Sequence, residues 1–193
     1  SETTSAVEVK SGDMTVGFSK ETGLLTHVKR GGEAFSFANG PKFTSGTNHF
    51  KKISVIGASG AELVVVKVEY SGELKSVIWR VNGNGWLECK YTYTATGTND
   101  AIGVLFDYPE QFVKHKRWLG DGPYRVWKNR LGGGTLGVWE NDYNNTITGY
   151  RGWVYPEFKG FFANVRWLQL ETTEGLITVV PENIPFVLGH AGK

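Results

Sequence analysis

The residues best placed to do chemistry lie between Trp118 and Leu170. A first stretch runs Trp118, Leu119, Gly120, Asp121, Gly122, Pro123 and continues to Arg130. A second runs Tyr155, Pro156, then Gly160, then Asn164, Val165, Arg166, Trp167, Leu168. Two glycines and a proline specify a fixed turn rather than a generic one, because glycine allows backbone shapes and close approaches that other residues refuse. Trp118 and Tyr124 flank that turn with aromatic faces of the kind that stack on the apolar side of a sugar ring. The alternative is a turn packed on the core, Leu119 simply continuing a strand.

Arg166 falls in an apolar run, where regular alternation would put it on one face with Leu168 and Leu170. An inward arginine needs a carboxylate, and Asp121 and Glu157 are the candidates because they sit in the two stretches. The other reading is a solvent-facing arginine on an edge strand. The surrounding region is strongly aromatic: Trp127, Trp139, Tyr143, Tyr150, Trp153, Tyr155, Phe158, Phe161 and Phe162, with Asn141, Asn144, Asn145 and Arg151 among them. Ring faces with interleaved amides and arginine suit carbohydrate recognition, although core and interdomain packing would use the same residues.

Catalysis within the chain finds less support. Glycoside hydrolysis needs two carboxyl groups about 5 to 9 Å apart across one bond. The 19 acidic residues form no such motif. Glu140 and Asp142 stand two apart in what reads as a loop, a commonplace spacing. His27, His49, His115 and His190 are scattered, with neither metal-ligand spacing nor a nucleophile elbow, and His49 and His115 read as surface residues. No cofactor or metal is expected.

These residues must be positioned by strands. Glu62 to Tyr70, Lys75 to Val81, Trp86 to Ala95 and Gly175 to Val180 are rich in Val, Ile, Thr, Tyr and Trp. Turn clusters separate such runs every 8 to 12 residues or so, the rhythm of an all-β sandwich. Ser11-Gly12-Asp13, Thr22-Gly23, Gly31-Gly32, Ala58 to Ala61, Asn82 to Gly85 and Thr96 to Asp100 supply the connectors, and 26 glycines fit so many turns. Helical periodicity is almost absent. Gly132 to Thr135 reads as a loop and Asn141 to Tyr150 as a polar excursion.

Composition bounds the rest. The 193 residues fit one domain, with no linker, composition shift or repeat to divide them. A net charge of +2, with no Lys/Arg run longer than a pair such as Lys51-Lys52, leaves no footprint for nucleic acid. No stretch approaches the roughly 20 apolar residues of a membrane span, and no signal-peptide pattern opens the chain. The lone Cys89 lies in an alternating run and is expected to be a buried small hydrophobe. The polar start and the unformed end suggest a piece of a longer polypeptide.

The two stretches together resemble the C-terminal β-sandwich, or small chain, of glycoside hydrolase family 2 β-galactosidases. Phe18-Ser19-Lys20 with Thr22-Gly23-Leu24-Leu25-Thr26 resembles that domain's opening strand and turn, and Lys42-Phe43-Thr44 a later Phe-containing stretch, so the likeness spans most of residues 14 to 180. It departs from the family pattern at Tyr124 to Asn129 and at Glu157-Phe158-Lys159. The resemblance implies a supersandwich of antiparallel sheets, as in galactose mutarotases, without catalytic residues of its own. It implies a multidomain, often exported glycosidase whose catalytic carboxylates lie in a TIM barrel outside this chain. Trp118, Asp121, Tyr124, Trp127, Arg130, Trp153, Tyr155, Glu157 and Arg166 are then candidates for carbohydrate contact or a domain interface. The partners would be a galactoside or related glycan and the barrel, with neither nucleic acid nor membrane. An independent carbohydrate-binding module and a mutarotase- or lyase-like enzyme are the alternatives.

Overall fold

The computed structural model describes residues 4–58, 60–98, 102–126, 132–143 and 161–182. The regular structure of its described residues is strand, with one 3-10 turn at Glu110–Phe112. All strand pairing is antiparallel, as expected of an all-β sandwich. The chain divides into two compact units, Ser1–Tyr108 and Pro109–Lys193, although no change in composition marks the boundary.

In the first unit, β1 (Ala6–Ser11), β2 (Met14–Ser19), β3 (Leu25–Arg30) and β4 (Glu33–Phe35) form a meander. A second four-stranded sheet joins β6 (His49–Ile56), β7 (Leu63–Ser71), β8 (Leu74–Asn82) and β9 (Leu87–Tyr93) in chain order. A short ladder pairs β5 (Ala38–Phe43) with β10 (Val104–Asp107). Successive strand side chains alternate between faces, and the sequence uses this strictly. Val64, Val66, Val68 and Tyr70 of β7 and Val77, Trp79 and Val81 of β8 share one core with Val7, Val9, Val16, Phe18 and Leu25. Phe18 meets Trp79 at 5.6 Å between ring centroids, and Phe106 meets Trp79 edge-on at 6.1 Å. Burying a large side chain of this kind contributes about 1.5–3 kcal/mol, so these apolar faces hold the unit together.

Cys89 lies on β9 against this core, and burial pushes its thiol up to about 12. It is a small hydrophobe packed against the core as its alternating context suggests, but partly rather than fully buried.

The second unit is a four-stranded sheet in the order β12-β11-β13-β14, with β11 Val113–Gly122, β12 Thr135–Asp142, β13 Trp167–Thr172 and β14 Gly175–Val179. Thr135 therefore opens a strand, and Asn141 and Asp142 close one, where the sequence suggested loops. Trp118, Phe162, Val165 and Leu168 form its core, with Trp139, Leu170 and Val179 packed against them.

Candidate functional site

The two sequence stretches are physical neighbours in the second unit. Strand register pairs Trp118 with Leu168 and Leu119 with Trp167. Beyond the end of β13 the pairing continues: the Arg166 amide donates to the Leu119 carbonyl at 2.7 Å, and the Asp121 amide donates to the Ala163 carbonyl at 2.9 Å. Asn164, between them, adopts φ of +51°, a left-handed shape that asparagine tolerates better than most residues. Its side-chain amide donates to Asp121 Oδ2 at 2.6 Å.

Glycine is required here for space rather than for turn shape. A Cβ on Gly120 would lie 2.9 Å from Val165 Cα and 3.1 Å from the Ala163 carbonyl oxygen, both backbone atoms. A Cβ on Gly122 would lie 2.4 Å from Trp139 Cδ1. The Trp139 indole rests over Gly122 and Gly137 and donates to the carbonyls of Gly120 and Thr135, each at 3.2 Å. The Gly122–Pro123 peptide is cis.

Trp118 is only 1 % exposed. Its ring packs on Phe162 with centroids 4.5 Å apart, and its indole N–H donates to the Asp121 carbonyl at 3.1 Å. It presents no face to solvent. Tyr124, just past the corner, is 65 % exposed and, among the described candidates, is an aromatic available for stacking. Arg166 is exposed rather than inward and precedes β13 instead of sharing its buried face with Leu168. Among the described residues it forms no ion pair with Asp121, whose carboxylate takes the Asn164 amide. Trp127, Arg130, Trp153, Tyr155 and Glu157 lie outside the described residues, as do Tyr150 and Phe158.

Behind the corner is a group of charges that sequence reasoning missed. Lys116, 2 % exposed, shares the buried face of β11 with Trp118. Its ammonium lies 5.4 Å from the Tyr143 ring centroid and 5.6 Å from that of Phe162, and donates to the Asp142 carbonyl at 3.3 Å. The buried Arg125 guanidinium lies 5.7 Å from the same Phe162 centroid. Burial, with a smaller contribution from nearby Arg125, pulls the Lys116 ammonium down to about 8. Burial also lowers Arg125 and raises the Tyr143 phenol, which donates to Glu110 at 3.2 Å. Two cations around one ring stabilise the packing by cation–π attraction while paying for lost water.

The acids closest in spacing are Glu140 and Asp142 on β12. Glu140 lies 3.7 Å from Arg117 and Asp142 lies 3.5 Å from His115, both across to β11 and both largely exposed. Each thus meets a basic side chain, Arg117 or His115, on the neighbouring strand.

The class these features define is an all-β sandwich in which a glycine-bearing strand end packs closely against the segment leading into β13. The chain belongs to the β-galactosidase small-chain family, whose model matches residues 10–188. No curated protein was found to match it.

Proposed function

We propose that this chain is the noncatalytic C-terminal β-sandwich of a β-galactosidase-like enzyme of glycoside hydrolase family 2. On this reading the fold is the supersandwich shared with galactose mutarotases. The domain supports carbohydrate hydrolysis by a TIM barrel carried elsewhere in the parent polypeptide. The observation that carries the proposal is the family match over residues 10–188. The interlocked segments that bear the resemblance add to it, since they build a stiff corner suited to bracing a neighbouring surface. The cross-strand contacts of the exposed Glu140 with Arg117 and of the exposed Asp142 with His115 fit solvated side chains better than an acid and nucleophile pair. Tyr124 is the residue of the corner that would meet glycan or barrel.

The test compares the purified chain with the full product of its gene on 2-nitrophenyl β-galactoside. The chain alone is expected to be inert and the full product active. Calorimetric titration of the chain with galactosides and plant-type oligosaccharides is expected to give no saturable heat. Hydrolysis by the chain itself would overturn the proposal. Saturable binding lost in Trp127→Ala or Trp153→Ala would replace it with an independent carbohydrate-binding module.

A further inference from the structure

The first unit carries a groove unrelated to the corner. Its volume is about 340 Å³, and it is lined by Val7 of β1, by Lys20 and by β6 from Phe50 to Val55. Among the described residues both strands are terminal in their sheets: β1 pairs with β2 alone, and β6 with β7 alone. The groove therefore runs along a strand edge, where backbone donors and acceptors on the outer side lack a ladder partner. Val7 is fully buried and gives the groove an apolar floor.

The charge at this edge is predominantly positive. Lys51 is the extra residue of a bulge between Phe50 and Lys52, and both lysines are exposed. The nearby acid on β7, Glu69, is the cross-strand partner of Lys52 and lies 2.7 Å from Lys67, and Lys51 and Lys52 also attract its charge, so three ammonium groups share one carboxylate. Among the described residues no ion pair engages Lys51 or Lys52.

Lysines and bulges on an edge are also devices that stop strands from associating. They do so selectively. A second copy of β6 would bring like charges together, which is unfavourable, whereas a strand bearing carboxylates would meet opposite charge along its length. We propose that the β6 edge receives an extended acidic peptide segment as an added strand. Its backbone pairs with β6, its carboxylates reach Lys51 and Lys52, and apolar side chains between them lie toward Val7.

The experiment titrates the full chain with a fluorescent peptide of about eight residues, one strand's length, alternating Glu and Val. Fluorescence polarisation is expected to show saturable binding that weakens with salt. Three further probes are a Lys-Val peptide, the Glu-Val peptide N-methylated at alternate amides, and a heparin oligosaccharide. The Lys-Val and N-methylated peptides are expected not to bind. K51E/K52E is expected to weaken the Glu-Val peptide about tenfold and to gain affinity for Lys-Val, with circular dichroism checking that the variant folds. Absence of saturable Glu-Val binding would overturn the proposal. So would equal binding of the N-methylated peptide, or stronger binding of heparin, since either reduces the edge to a surface that attracts anions without pairing a strand.

Discussion

Asn164 holds Asp121 at 2.6 Å from a left-handed backbone position, and this contact joins the two segments that carry the family likeness. Asn164→Ala loses the hydrogen bond and strains the backbone, and is expected to destabilise the chain by about 1–2 kcal/mol in urea titration. Asn164→Gly keeps the φ and loses only the bond, so it should cost about half as much. Equal losses would show that the left-handed turn carries no strain.

Gly122→Ala places a methyl against the Trp139 ring and forces it off the Gly120 and Thr135 carbonyls. The expected loss is about 2–4 kcal/mol, with a change in tryptophan emission before unfolding. Unaltered emission and stability would mean that the ring is not seated as described.

Lys116 makes stability depend on alkaline pH. Its ammonium titrates at about 8 in the folded chain against 10.5 as its ordinary value. Between those values the unfolded chain binds more protons, so stability contributed through this group rises from pH 8 to 10.5, by about 3 kcal/mol at most. Lys116→Met keeps the stem and removes the charge. It is expected to be more stable than the parent at pH 7, with the difference vanishing toward pH 10.5. Comparing the two proteins cancels the opposite trend from Cys89, whose ionisation on unfolding lowers stability above about pH 9. A difference that does not change with pH would refute the assignment.

Cys89, with its thiol pushed up from 9.0 to about 12, is expected to react with iodoacetamide at pH 8 about a thousandfold more slowly in the folded chain than in urea. Mass spectrometry after timed quenching measures both rates. Comparable rates would place the thiol at the surface.

Much of the first unit was legible because its strands alternate cleanly. The run from Glu62 to Tyr70 became β7 and that from Lys75 to Val81 became β8, each within about two residues at its ends. The corner was legible as a motif but not as packing. Nothing local announces that Trp139 lies over Gly122, since the contact depends on the pairing of β11 with β12. For Arg166 the sequence left an inward and a solvent-facing reading open; the structure exposes it, because β13 begins only at Trp167 and the alternation of Leu168 and Leu170 does not reach back to it. Lys116 was passed over as one of the lysines flanking His115. Counting by twos from Trp118 would have placed it on the buried face, but a lysine's ordinary solvation argues against that position.

Trp139 lies on bare backbone at Gly122 and Gly137, so the ring's thickness gauges how close the chain can come at that bend. A narrower side chain at 139 would open clearance beneath it, and a methyl at 122 harmful beside the indole would then be accommodated. The two positions form a lock and shim, each admitting change only in step with the other.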